Sequence, residues 1–374
     1  MAADNGIIIV TGANGRIGDA VMRRFAGRFA HVIGCDRKAP APPPPGCVYV
    51  PIEITSDESV RTGLADIRAH HGAHVASVIH LAAYYDFLGE PSPKYEEITV
   101  RGTGRLLRTL HDLDFQVEQF VFSSTMLVHK PAEPGQFIDE DWPIEPTWEY
   151  PASKVKTEAL IRAERGAIPA VLLRISGVYD DLCHSIPLAH QMQRISERKL
   201  AARLYSGDTA HGQAFVHMDD LVEALALVVE RRAALPPELP VLIGEPEALS
   251  YDELQHTLAR LIRGEDWETR QLPAPIAKVG AWAEEHVPFG KTFGIYDGFI
   301  KPWMIDRADD HYALNIGRAR ALLGWEPRRS LRDTLPTMVA ALKADPVGFY
   351  RENDLTAPSG LATGDVRATA ASTP

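Results

Sequence analysis

The chain has 374 residues, 45% hydrophobic and 24% charged, with three cysteines. That composition suffices for a full hydrophobic core and excludes a wholly disordered chain, a collagen-like fibre and a disulfide scaffold. Lys and Arg total 39 against 50 Asp and Glu, and the net charge of −11 repels phosphate backbones, which argues against nucleic acid as a partner.

At about 150 residues per domain the length suggests two domains or one large one. Cys35, Cys47 and Cys183 form no CxxC pair and read as reduced thiols of a cytoplasmic protein. The N-terminus shows no basic segment before a long apolar run, so no signal peptide is expected. No window of about 18 uncharged apolar residues predicts a membrane span, so no membrane partner is expected.

In chain order, Ile7 to Val10 reads as a buried strand, and Ile17 to Phe29 carries apolar residues at helical spacing. His31 to Cys35 is a second strand, and Ala39 to Gly46 a proline-rich exposed loop. Helices are expected at Asp57 to His70, Tyr95 to Leu113 and Pro151 to Arg165. Strands are expected at Val75 to Leu81, Gln119 to Ser123 and Ala170 to Ile175. This alternation predicts an α/β fold, a Rossmann-type doubly wound parallel sheet. Beyond Val178 prolines punctuate shorter elements, with helices at Asp219 to Arg232 and Tyr251 to Ile262, as in a smaller mixed α/β domain. The expected division is 1–177 for cofactor and catalysis, 178–345 for substrate binding, partly interleaved with the first, and 346–374 for a disordered tail. From Asp354 onward the tail is rich in Ala, Thr, Ser, Gly and Pro.

Between the first strand and the first helix stands Thr11-Gly12-Ala13-Asn14-Gly15-Arg16-Ile17-Gly18. Its GxxGxxG spacing supplies a tight turn, close approach of backbone to a pyrophosphate, and close helix–strand packing. The helix N-terminus then offers N–H groups and a positive dipole end to the phosphates. Asp36 closes the second strand, where an acid accepts hydrogen bonds from both ribose hydroxyls and repels a 2′-phosphate. That favours NAD over NADP, although Arg16 and Arg37 are cations able to meet a 2′-phosphate.

Tyr150 and Lys154 are four residues apart at the start of a predicted helix and share a face. A neighbouring cation favours the phenolate and draws the phenol pKa down from about 10. The phenol can then take a proton from a substrate hydroxyl while a hydride leaves the same carbon. Phe122-Ser123-Ser124-Thr125 brings hydroxyls to the carboxyl end of a strand, where α/β proteins bind ligands.

TGANGRIG, Asp36, Val78-Ile79-His80-Leu81-Ala82-Ala83, FSST and YPASK, in that order, resemble the extended short-chain dehydrogenase/reductase family, its NAD-dependent epimerase/dehydratase group. Leu173 to Tyr179, Phe215 to Asp220 and Leu323 to Pro327 agree with it, so the resemblance covers about residues 6 to 345. It implies a Rossmann domain of about seven parallel strands, with Tyr150 as acid/base, Lys154 on the nicotinamide ribose and Thr125 as the catalytic hydroxyl. It places Glu53 and Ile54 at the adenine, Leu81, Ala82 and Ala83 at the phosphates and ribose, and Ser123 and Ile175 beside the cofactor. Tyr84, Ser124, Thr125, Met126, Gly177 and His184 are the substrate candidates. Many members pack two helices across a dimer axis, here Tyr95 to Leu113 and Pro151 to Arg165, so a homodimer is expected.

The pattern departs from the family in four places. Thr99 stands where Asn is usual, Met126-Leu127 follow Thr125 in place of an Asp-Glu pair, Gly177 stands at an Asn position, and Gln213 precedes the Phe215 segment in place of Arg. The second departure argues against a 4,6-dehydratase. The last two weaken a nucleotide-diphosphate substrate, because a diphosphate wants cationic donors. Two functions remain open: an epimerase-type oxidoreductase acting on a sugar or sugar derivative through a keto intermediate, or a net dehydrogenase or reductase of a sterol-like or small carbonyl substrate. A non-catalytic NAD-binding regulator is disfavoured by the presence of Tyr150, Lys154 and Thr125. His70, His71 and His74 read as a solvated helix end and not as metal ligands, and no metal is expected. Asp139-Glu140-Asp141 reads as a surface loop, and Asp219-Asp220 as caps of the following helix.

Overall fold

The computed structural model describes residues 4–38, 43–86, 89–286 and 300–358. It divides into two compact units. The first contains residues 1–176, 218–247 and 312–328, and the second contains 177–217, 248–311 and 329–374.

The first unit is built on a parallel sheet. Its strand order is Glu238–Ile243, Ala170–Ile175, Phe120–Thr125, His74–His80, Asp4–Thr11, Phe29–Asp36 and Cys47–Pro51, with the short strand Gln116–Val117 beside His74–His80. Parallel strands buried on both faces need near-continuous apolar runs, and Ile7 to Val10 and Ala170 to Leu173 are all at most 1% exposed. Strand order reverses between Asp4–Thr11 and His74–His80, whose last residues Thr11 and His80 are register partners. Their carboxyl ends form the crevice where α/β sheets bind ligands.

Helices Arg16–Phe25, Asp57–His71, Glu149–Glu164 and Met218–Glu230 belong to this unit. The long helix expected from Tyr95 starts as a π-helix, Tyr95–Arg101, and becomes α-helical only at Gly102–Asp112. Glu140 is not a surface residue: it is buried, accepts the Leu242 N–H at 2.9 Å and lies 3.4 Å from Arg318. Asp219 and Asp220 sit inside the first turn of a helix that begins at Met218, so they do not cap it. Asp220 instead accepts the Arg328 N–H at 3.0 Å, and its carbonyl accepts the Trp325 indole at 2.9 Å.

The second unit holds a three-stranded sheet in the order Ala248–Ser250, Gly212–His217, Gly177–Tyr179, antiparallel at the first pairing and parallel at the second. Ser250 and Glu253 form a reciprocal capping box that starts helix Tyr251–Arg263. Its core includes Tyr179, Met192, Leu258, Trp267, Leu335 and Met338. The tail expectation fails at its start. Pro346–Glu352 is a helix, and Phe349 and Tyr350 are buried in this core, because the apolar pair outweighs the entropy of ordering one short helix. Residues 359–374 lie outside the described residues, as do 39–42 of the proline-rich loop. Among the described residues no helix is long and apolar enough to cross a membrane.

Candidate active site

The glycine loop is shaped by steric necessity. Gly12 has φ +68°, and a Cβ there would lie 2.8 Å from the Ala82 nitrogen. A Cβ on Gly18 would lie 2.3 Å from the Gly12 carbonyl oxygen and 2.7 Å from the Ala13 Cα. No side chain caps the N-terminus of helix Arg16–Phe25, whose N-cap is Gly15. A helix end of this kind leaves N–H groups and a positive dipole end suited to an anion.

A cavity of about 430 Å³ opens beside this loop, at the sheet's crevice. Of the cofactor residues expected from sequence, Gly12, Gly15, Asp36, Arg37, Glu53, Ile54, Leu81, Ala82 and Ala83 line it. Asn14, Arg16, Ile17 and Gly18 belong to the adjoining turn and helix, outside the wall. Thr11, Cys35, Ile52, Lys94 and Ile98 also line it and were not anticipated, and Tyr84, expected at the substrate, lines it as well. Lys94 and Ile98 arrive through the π-helical segment and its N-cap, which a sequence period does not reveal. Asp36 receives N–H donors on both carboxylate oxygens, from Asn14 at 3.1 Å and Arg37 at 2.7 Å, which fixes the acid at the cavity rim. Glycines whose side chains would fill the turn, an uncapped helix end and an anchored acid fit a dinucleotide, with phosphates at the helix and a ribose at Asp36.

Further along the same crevice the catalytic candidates converge. The Lys154 ammonium is 2% exposed, donates to the Ser123 carbonyl at 2.6 Å and lies 5.6 Å from the Tyr150 ring centre. Burial lowers its pKa to about 7, with Glu158 pulling the other way. Thr125 is buried and accepts the Leu127 N–H at 3.3 Å. The lowered phenol pKa expected from sequence is corrected. Loss of solvation pushes Tyr150 up to about 12, although part of its ring stays exposed and a hydrogen bond with Thr125 pulls it down. Tyr85 packs edge-on against the Tyr150 ring at 4.9 Å, and the Trp148 ring lies tilted 5.4 Å from the same Tyr150 ring, which places aromatic surface around the phenol.

Ser124 is corrected as a substrate contact. Side chains alternate along a strand, so it faces away from its neighbours Ser123 and Thr125. It is buried and donates to Glu158 at 2.7 Å, inside a Glu158–Arg174 ion pair closed at 2.9 Å. Ser123 donates to the His80 carbonyl at 3.2 Å, and Ile175 is the register partner of Thr125. Met126 is buried in the short 3₁₀ turn after Thr125. His80, quoted in the motif without a role, is fully buried, and desolvation lowers its pKa to about 3.

Gly177 and His184 belong to the second unit. Gly177 lies against the Phe215 ring, where a Cβ would come within 2.8 Å. His184, at φ 40°, bonds the Asp180 carboxylate through Nδ1 at 2.5 Å. That unit has its own cavity of about 220 Å³, lined among others by Arg194, Leu204, Tyr205, Tyr251 and Met304, with the Tyr205 and Tyr251 rings stacked at 3.8 Å. Of the histidines read as a solvated helix end, His70 bonds the Asp66 carbonyl at 3.0 Å and His74 bonds Glu118 at 2.6 Å.

The model of the NAD dependent epimerase/dehydratase family matches residues 8–244. The chain is 27% identical over 351 residues to the dTDP-6-deoxy-L-talose 4-dehydrogenase (NAD(P)(+)) of Kitasatospora kifunensis, covering 91% of this chain and 96% of that one. It is 21% identical over 339 residues to the UDP-glucose 4-epimerase of Vibrio cholerae, covering 87% and 92%. The solved UDP-glucuronic acid 4-epimerase of Bacillus cereus, in complex with UDP-glucuronic acid and NAD, superposes with a TM-score of 0.65 at 20% identity, over 90% of this chain and 99% of that one.

Proposed function

Because the chain belongs to the NAD-dependent epimerase/dehydratase family, we propose that it moves a hydride at a secondary alcohol of a sugar or sugar derivative through a keto intermediate, with Thr125, Tyr150 and Lys154 as its catalytic set. The observation that carries this reading is the convergence of those three side chains on one strand end beside a cavity suited to the dinucleotide.

When bound, NAD would supply the acceptor for the hydride. Gly12, Gly15 and the uncapped helix end would hold its phosphates, and Asp36 and Glu53 its adenosine. Thr125 holds the reacting oxygen and Tyr150 exchanges the proton at that oxygen. A phenol at about 12 is a proton donor at neutral pH, so the ligand-free site is set to protonate an alkoxide. Accepting a proton requires the phenolate, which the ammonium form of Lys154 favours. Return of the hydride to the opposite face of the keto carbon inverts the centre. Within the span 178–345 expected for substrate binding, 218–247 and 312–328 belong to the first unit; the second-unit residues are assigned to substrate binding on the support of the Tyr205–Tyr251 cavity.

A nucleotide sugar is the first substrate class to test, because the Vibrio and Bacillus proteins are named for UDP-sugars. A net dehydrogenase is the second reading. Net oxidation is supported by the Kitasatospora relative's name, while Gln213, at a position where a cation would hold a diphosphate, and the aromatic surface around Tyr150 support a less charged substrate for it than that relative's dTDP-sugar. Purified protein that retains NAD and forms no net NADH supports the epimerase; stoichiometric NADH release supports the dehydrogenase. In either case Tyr150→Phe lowers turnover by about 10²–10⁴-fold, and unchanged turnover defeats the assigned mechanism. A cytoplasmic homodimer completes the proposal, and light scattering that gives a monomer refutes the dimer.

A further inference from the structure

Two backbone N–H groups of the cavity loop end on threonine hydroxyls. Ala82 donates to Thr11 Oγ1 at 3.2 Å and Tyr84 donates to Thr99 Oγ1 at 3.0 Å. Between these threonines lies a buried chain: Thr11 Oγ1 is 2.6 Å from His80 Nδ1, His80 Nε2 is 2.9 Å from Thr103 Oγ1, and Thr103 donates to the Thr99 carbonyl at 2.6 Å. The proton order in this chain is fixed. A carbonyl only accepts, so the single Thr103 proton is committed to Thr99. Thr103 Oγ1 must then accept from His80 Nε2–H. Neutral His80 presents Nδ1 as an acceptor, which the Thr11 hydroxyl fills, and Thr11 keeps a lone pair for Ala82. From the Ala82 N–H to the Thr99 carbonyl, each proton of the chain has one acceptor and all run in one consistent order. A second proton on His80 would turn Nδ1 into a donor and leave the Thr11 proton with no acceptor in the chain.

We infer that His80 is a positioning residue for the cofactor: through this one-way chain it holds the Leu81–Tyr84 loop at the spacing from the glycine turn that NAD requires. The inference rests on the cofactor reading above. Three observations support it. Ala82 faces Gly12 so closely that a Cβ on Gly12 would sit 2.8 Å from its nitrogen, and both residues line the cavity, so the loop position sets the cavity wall. Burial and the nearby Lys154 charge keep His80 neutral, the only state the chain accepts. The other side of the same residue serves catalysis, since the His80 carbonyl accepts from Ser123, whose own carbonyl holds Lys154.

The test is titration calorimetry with NAD on the full-length protein and three variants, each first freed of any retained cofactor. His80→Phe keeps a ring but removes both ends of the chain, and NAD binds about tenfold more weakly. His80→Gln restores an acceptor and a donor and returns affinity to within about threefold of wild type. Thr103→Val leaves Nε2–H without an acceptor and weakens NAD measurably. Wild-type affinity in folded His80→Phe and Thr103→Val overturns the inference. So does a His80→Gln as weak as His80→Phe, which would make the role one of packing alone. If His80→Phe does not fold, Thr103→Val and His80→Gln decide the same way. A wild-type protein that binds no NAD overturns the cofactor reading itself, a different failure.

Discussion

Lys154→Met removes a buried cation from the centre of the site, and the ligand-free protein should gain stability as it loses activity. The ammonium is 2% exposed and its pKa falls from 10.5 to about 7. A shift of about 3.5 units corresponds to about 5 kcal/mol of penalty on the charged form, of which about 4 kcal/mol is felt at pH 7. Against this, Met leaves the Ser123 carbonyl without its donor, a loss of about 2 kcal/mol. The net gain is about 2 kcal/mol, or roughly 4–8 °C in thermal midpoint for units of this size. The pH dependence identifies the cause. The unfolded chain keeps the lysine proton up to about 10.5, whereas the folded chain releases it near 7. Between these values the unfolded state binds more protons, so the wild type recovers stability as pH rises, by about 1.4 kcal/mol per unit. The advantage of Lys154→Met is therefore greatest at and below pH 7 and declines towards pH 10. Urea titrations of both proteins at pH 7, 8 and 9 measure it. An advantage that does not change with pH, or a variant less stable than wild type at pH 7, refutes the argument.

Gly18→Ala places a methyl 2.3 Å from the Gly12 carbonyl, against backbone that cannot yield. It should cost about 1–3 kcal/mol and abolish NAD binding; a variant that binds NAD like wild type would show that the turn can open. Acid should weaken the fold early, because burial holds His80 at about 3 and His129 at about 4. Below pH 6.5 the unfolded histidines take protons that the folded ones refuse, so about 3 kcal/mol is lost between pH 6.5 and 5; equal unfolding free energies at pH 7 and pH 5 would contradict this. For Asp36, with both oxygens anchored, NAD should bind at least tenfold more tightly than NADP, and equal affinities in direct titrations would exclude the ribose role.

Periodicity made the first unit readable where one face or one run was apolar. The strand Ala170–Ile175 has the expected bounds, and helix Asp57–His71 differs from expectation by one residue. It failed where a neighbour in space decides the outcome. Glu238–Ile243 contains Pro240, which reads as a break, yet this strand pairs on one side only, and an edge strand tolerates a missing N–H. The π-helix at Tyr95–Arg101 leaves no period that distinguishes it from the α-helix it joins. Ser124 looked equivalent to its neighbours because sequence does not reveal that Glu158 and Arg174 lie behind it. The Tyr150 error has the same origin. The i, i+4 lysine was visible, but the loss of solvation, which outweighs the Thr125 hydrogen bond and sets the direction, was not.

The titration of Lys154 and the neutrality of His80 are connected. Both lie at the end of one strand crevice, where burial lowers the His80 pKa and repulsion from Lys154 lowers it further. If His80 carried a proton near neutrality, Lys154 would face a second buried cation and its pKa, already about 7, would fall further. The site would then lose the ammonium that favours the Tyr150 phenolate. A histidine held neutral by a fixed chain of acceptors therefore does more than shape the cavity loop. It keeps the ammonium on Lys154, beside the Tyr150 ring, where the proposed proton transfer would use it.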